Sequence, residues 1–184
     1  VRSGVGCGGD RMKEHPIIFS PSMVRAILDG RKTQTRRVIR GARGSASIYA
    51  GERDGIWVVE RFGDSAQHTI RCPYGRVGDR LWVRETCGLT GRGIVYRADR
   101  EFHINRWIPA IHMPRSAARL FLSIEDIRVE RLQSINYANA WAEGVFPEDG
   151  DAIAAFADLW DTINGKRGCG WDTNPWVWVI TFRK

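Results

Sequence analysis

Between Gly30 and Gly51 the chain carries six basic residues (Arg31, Lys32, Arg36, Arg37, Arg40 and Arg43) and no acid. Two threonines, Thr33 and Thr35, interrupt that run. A guanidinium holds phosphate through a fork of parallel hydrogen bonds, and Arg37 is the contact expected here. The same stretch contains the groups that acyl transfer needs. A threonine hydroxyl becomes a nucleophile only when a neighbour withdraws its proton, and Lys32 can do so if burial or the adjoining arginines depress its pKa. The plainer readings are β-branched residues filling a strand and a solvated lysine at a helix end.

Three further groups bear on the same chemistry. Arg84 and Glu85 follow a Gly78-Asp79 turn, where Arg84 can grip a phosphate or a base edge, or simply pair with Glu85. Trp82 shares the face of Arg84 and can stack on a base. The chain has eight tryptophans, so core packing is the competing role for any one of them. Finally, His112, Arg115 and Arg119 are expected on a loop over a cleft, with Arg115 as a second phosphate contact and His112 able to titrate.

The charge balance supports an anionic partner without requiring one. The net charge is +7, from 28 basic and 21 acidic residues. Between Leu132 and Gly165 there are six acids (Glu143, Glu148, Asp149, Asp151, Asp158 and Asp161) and no base. A surface polarised in this way attracts a polyanion to one side and repels it from the other. No apolar run approaches bilayer length and no secretory signal pattern is visible, so a cytoplasmic protein with no membrane partner is expected. The four cysteines (Cys7, Cys72, Cys87 and Cys169) lack finger spacing. Zinc held by His68, Cys72, Cys87 and His112 is the weaker reading against unpaired thiols, so no metal and no cofactor is expected.

These groups must be positioned by a mixed set of elements. Residues 1–12 are expected to form a disordered leader, and 13–184 one domain. Ser20-Pro21-Ser22 caps a first helix with its apolar stripe at Met23, Val24, Ile27 and Leu28, and Gly30 closes it. Strands are expected over Thr33–Ile39, Ile56–Glu60, the segment after Gly78-Asp79, and Ile94–Arg97. Leu120, Leu122 and Ile124, then Ile127, Val129 and Leu132, form two alternating runs. Their phase slips at Glu125-Asp126, as a bulge would cause. A short helix over Asn136–Glu143 and an amphipathic one over Asp151–Ile163 come next. In the last strand Trp176, Trp178, Ile180 and Phe182 alternate with Val177, Val179 and Thr181, which predicts a central, doubly covered position. Strands separated by irregular helices without a βαβ rhythm indicate an α+β fold.

Three segments taken in order resemble the ASCH family: Leu28-Asp29-Gly30-Arg31-Lys32-Thr33-Gln34-Thr35-Arg36-Arg37, then Gly78-Asp79-Arg80-Leu81-Trp82-Val83-Arg84-Glu85, then Ala142-Glu143-Gly144. Cys72-Pro73-Tyr74-Gly75, the stretch Trp107 to Arg115, and Asn174-Pro175-Trp176-Val177-Trp178 narrow the likeness to phage and prophage members. The resemblance implies a PUA-like small mixed β-barrel flanked by helices, with a cleft suited to RNA or modified nucleosides. Small bacterial members with the Lys-Thr-x-Thr pattern are amidohydrolases that deacetylate N4-acetylcytidine. Carried over by position, their lysine falls on Lys32, their nucleophilic threonine on Thr35 and their glutamate on Glu143. This chain is longer, with insertions near 41–70 and 99–115.

The expected function is therefore handling of a nucleobase-containing ligand, with hydrolysis of an acylated cytosine-type nucleoside as the leading form. The alternatives are a non-catalytic RNA- or modified-base-binding module and a metal-independent ribonuclease using Lys32, Arg37 or His112. On a regular strand Lys32 and Thr35 face opposite sides, so a joint role requires Lys32 to lie in the turn before the strand.

Overall fold

The computed structural model describes residues 11–42, 45–51, 55–61, 63–64, 66, 68–99, 104, 106–147 and 150–184. Most of the expected leader and part of both insertions fall outside these residues. The elements are β1 (Glu14–Ile18), α1 (Pro21–Leu28), β2 (Gln34–Val38), β3 (Ser45–Ala50), β4 (Ile56–Arg61), β5 (His68–Arg71), β6 (Arg80–Arg84), β7 (Cys87–Thr90), β8 (Gly93–Tyr96), β9 (Phe121–Arg131), α2 (Tyr137–Ala142), α3 (Ala152–Asn164) and β10 (Trp176–Arg183). Short 3-10 turns fill several connections.

The fold is α+β. Five strands form one sheet in the order β1-β6-β9-β10-β2, with β3-β4-β5 as a separate meander and β7-β8 as a hairpin. Only β1 and β6 run parallel; the other neighbours in the large sheet are antiparallel. The expected barrel does not close among the described residues, because β1 and β2 are left as the two edges of the large sheet. Their separation is small enough for one side chain to bridge it: Arg37 Nη2 donates to the Ile18 carbonyl at 2.8 Å. The insertion at 41–70 supplies the meander, which Trp57 fastens to the sheet by an edge-on contact with Trp178 at 5.7 Å.

β10 lies between β9 and β2, and its alternation divides the core. Trp178, Ile180 and Phe182 join Ile17, Leu81, Val83 and Leu122 in one cluster, on the face that also receives α1 and the meander. Val177 and Val179 pack on the other face against Phe156 and Trp160 of α3 and Ala140 of α2. Burying an aliphatic or aromatic side chain of this kind contributes about 1.5–3 kcal/mol before entropy is counted. The phase slip at Glu125-Asp126 is a bulge: Thr181 opposes Asp126 while Phe182 opposes Ile124, so Glu125 has no partner. β9 therefore continues unbroken through what the sequence pattern divides into two runs. Among the described residues no helix is long and apolar enough to cross a membrane.

Candidate functional site

Two chain reversals bring Lys32 and Glu143 together. Gly30 takes φ +74, and the amides of Arg31 and Lys32 both donate to the Ala26 carbonyl, so the chain folds tightly back over the end of α1. Asn136 caps α2 by accepting from the Asn139 amide at 2.9 Å, and Glu143 closes that helix. The Thr33 amide then donates to the Ala142 carbonyl at 2.9 Å, tying the end of α2 to the start of β2. Gly144, with φ +84, fits under Lys32: a Cβ there would stand 3.0 Å from Lys32 Cβ.

Lys32 thus precedes β2, in the turn that a joint role with Thr35 requires. Its side chain is buried, and Nζ donates to the Gln34 carbonyl (2.7 Å), the Glu143 carbonyl (2.7 Å) and Glu143 Oε2 (2.9 Å). Three acceptors match the three donors of an ammonium group. Burial pulls the Lys32 pKa below its ordinary 10.5, while the Glu143 carboxylate opposes that shift. Arg36 Nη1 occupies the other Glu143 oxygen at 3.1 Å and also donates to Gln34 Oε1 at 2.7 Å. Arg36 Nη2 reaches Glu130 Oε2 at 3.3 Å, and Glu130 is shared with Arg128. Glu143 therefore holds two buried cations and has both oxygens engaged.

Lys32, Thr35, Arg37 and Glu143 line one groove of about 1380 Å³. The groove runs along the gap between the edges β1 and β2 and continues past α3. Backbone pairing explains which side chains face which lobe. Ile39 N donates to Trp176 O and Phe182 N to Thr33 O, so the odd residues of β2 exchange hydrogen bonds with β10. The even residues Gln34, Arg36 and Val38 turn their backbone groups to the free edge, where Lys32 takes the Gln34 carbonyl. Alternation then sends Thr35 and Arg37 to the α1 side and Arg36 to the α3 side, where its guanidinium lies 6.0 Å from the Phe156 ring. In the α1-side lobe Arg37 sits over the Phe19 ring at 5.2 Å, and Tyr74, Arg84, Thr86 and Ala110 are among the other residues that line the groove. Among the described residues the Thr35 hydroxyl has no hydrogen-bond partner.

The remaining expected site residues lie elsewhere. Glu85 is 1% exposed and is held by Arg119 through two bonds of 2.9 and 3.0 Å, and Arg119 also binds Asp99. Arg115 pairs with Glu14 at 2.6 Å and stacks on Phe121. His112 is exposed on a 3-10 turn, and Trp82 lies beneath Arg84 on the outer face of β6. Thr33 contributes its backbone only, linking α2 and β10. None of Thr33, Trp82, Glu85, His112, Arg115 and Arg119 lines the groove. Cys72 and Cys87 sit in separate apolar clusters, and burial raises the Cys72 thiol to about 11. Three groove residues carry no chemical signal in the sequence pattern: Phe19 and Tyr74 look like ordinary core aromatics, and Arg36 looks like its neighbour Arg37.

No family model and no curated protein matches the chain. A solved structure, the crystal structure of protein EF3133 from Enterococcus faecalis V583, described as DUF984, is similar with a TM-score of 0.46 and 10% sequence identity. The match covers 95% of this chain and 81% of that one. A likeness at this level carries no argument about activity.

Proposed function

We propose that the chain is a PUA-like protein of the ASCH type whose groove binds an RNA segment or a modified nucleoside. The observation that carries this reading is the α1-side lobe, where the Arg37 guanidinium lies over the Phe19 ring and Tyr74 and the Thr35 hydroxyl line the same groove. Aromatic rings supply stacking area, and cations and hydroxyls supply donors for base edges and phosphate. Seven groove-lining residues are Lys or Arg, and Glu143 is the one acid among them. Such a groove concentrates anions. The test is calorimetric titration with cytidine, N4-acetylcytidine and a short single-stranded RNA at two salt concentrations. Binding of at least one is expected, with RNA affinity falling as salt rises. Failure of all three to bind folded protein overturns the reading.

A second reading, hydrolysis of an acylated amine, is favoured by the convergence of Lys32, Thr35 and Glu143 on one groove. In it the Thr35 hydroxyl oxygen attacks the acyl carbonyl while its proton passes to Lys32. The amine leaves with that proton, and water then cleaves the threonine ester to release the acid. It ranks second because Lys32 has three acceptors around it and must first give up a proton to act as a base. The assay is acetate release from N4-acetylcytidine by wild type, Thr35→Val and Lys32→Gln. Turnover lost in both variants supports hydrolysis; absence of turnover by wild type that binds the nucleoside removes it.

A further inference from the structure

Along the groove wall the charged side chains form one alternating chain. Lys32 meets Glu143, Glu143 meets Arg36, Arg36 meets Glu130, Glu130 meets Arg128, and Arg128 meets Asp126. The chain starts at a lysine that is 3% exposed and ends at a carboxylate that is 51% exposed. Arg36 is its pivot. Its side chain is fully buried, and three acceptors fix it: Gln34 Oε1 at 2.7 Å, Glu143 Oε1 at 3.1 Å and Glu130 Oε2 at 3.3 Å. Gln34 is itself held, since its Nε2 donates to Thr181 Oγ1 at 3.3 Å and its carbonyl accepts from Lys32. Only one of the three acceptors, Glu143, also binds Lys32 through its side chain, so Arg36 is anchored largely independently of Lys32.

A carboxylate shared by two cations holds each less firmly than it would hold one alone, because its charge is divided between them. Glu143 is in that position: Oε2 accepts from Lys32 at 2.9 Å and Oε1 from Arg36. The Arg36 cation also repels an ammonium group at Lys32 directly. Glu130 acts in the opposite sense, since it neutralises Arg36 and leaves more of the Glu143 charge to Lys32. Among the described residues, the charged groups that act on Lys32 are Glu143 from the end of α2 and Arg37 and Arg36 from β2. Burial pulls the Lys32 pKa down, Glu143 pulls it up, and the two arginines pull it down. Hydrolysis needs Lys32 to shed a proton although three acceptors surround it. A group that weakens the Glu143 hold therefore makes the base available.

We infer that Arg36, braced by Glu130, is a positioning residue that controls how firmly Glu143 keeps Lys32 protonated. This rests on the hydrolytic reading above and adds to it a residue outside Lys32, Thr35 and Glu143. The chain has four lysines (Lys13, Lys32, Lys166 and Lys184), so labelling lysine with carbon-13 at Cε gives four signals, and Lys32→Gln identifies that of Lys32. The test titrates this signal by NMR in wild type, Arg36→Gln and Glu130→Gln, with circular dichroism to confirm folding. The Lys32 midpoint should move to higher pH in Arg36→Gln and to lower pH in Glu130→Gln. A purely structural role predicts something else: loosened packing admits water and raises both midpoints. Acetate release from N4-acetylcytidine should follow the same order. The rising limb of its pH profile moves up in Arg36→Gln, slowing turnover about tenfold on that limb for each pH unit, and moves down in Glu130→Gln. Midpoints that stay put, or that move together, overturn the proposal. If Arg36→Gln does not fold, Glu130→Gln decides alone: a lower midpoint supports the proposal and any other result overturns it. Opposed midpoints without turnover keep the control of Lys32 and remove the hydrolytic reading. Turnover with midpoints that fail to part keeps hydrolysis and removes Arg36 from it.

Discussion

Glu143 and Glu85 are both buried carboxylates at the end of an element, each held by arginine, and they do opposite work. Glu85 follows β6 and is gripped at both oxygens by Arg119, which also reaches Asp99. That cluster carries more acid than base, stays out of the groove, and fastens the segment before β9 to the end of β6. Glu143 is outnumbered by Lys32 and Arg36 and sits in the groove wall. The difference between the two is the opening beside Glu143, since Arg36 is also shared with Glu130 and each cluster is paired. Burial and ion pairing alone do not separate the two.

Glu143→Gln tests that contrast most severely. It leaves buried Lys32 without a carboxylate and Arg36 with Glu130 alone, and should cost about 3–5 kcal/mol in urea denaturation. Glu85→Gln should cost less, about 1–3 kcal/mol, because Arg119 keeps Asp99 and is partly exposed to water. A larger loss at Glu85 than at Glu143 would break the comparison. A double-mutant cycle between Lys32→Met and Glu143→Gln should give a coupling of about 1–3 kcal/mol, whereas Lys32→Met with Glu85→Gln should be additive. Gly144→Ala should lose about 1–2 kcal/mol, since φ +84 and the contact with Lys32 both resist a side chain. The same denaturation curves measure it.

The smallest effect concerns a third buried carboxylate, Asp79, in the turn before β6. Burial alone would raise its pKa, but the amides of Lys13 (2.8 Å) and Arg76 (3.2 Å), with His15 nearby, bring it below the ordinary 3.8. A depressed carboxylate contributes stability that is complete above its unfolded-state pKa and lost as pH falls through the folded one. Wild type should therefore lose stability below about pH 3.8, and Asp79→Asn should show a smaller loss over the same range. Thermal melts across pH 2–5 decide this; identical slopes would remove Asp79 from the acid response.

Much of the framework was legible because it is local. Ser20-Pro21 and Asn136 announce helix starts, the doubly apolar alternation of residues 176–182 announces a central strand, and the slipped phase at Glu125-Asp126 announces a bulge. The basic run at Gly30–Gly51 likewise marks the neighbourhood of the groove. Roles within that neighbourhood were less legible. Arg36 and Arg37 are adjacent, identical in type and both line the groove, yet Arg36 is paired with Glu143 and Glu130 while Arg37 lies over Phe19, because strand alternation sends them to opposite faces.

By itself the sequence determined the α+β class, most elements and their caps, since these follow from periodicity and turn chemistry within a few residues. Which charges are cancelled was decided only by tertiary structure. Lys32 meets Glu143 across 111 residues of chain, and Arg36 meets Glu130 across 94. Arg37 instead donates to the Ile18 carbonyl across the gap between β1 and β2. Coulomb energy depends on distance in space and on burial, and neither is written in the spacing of residues along a chain.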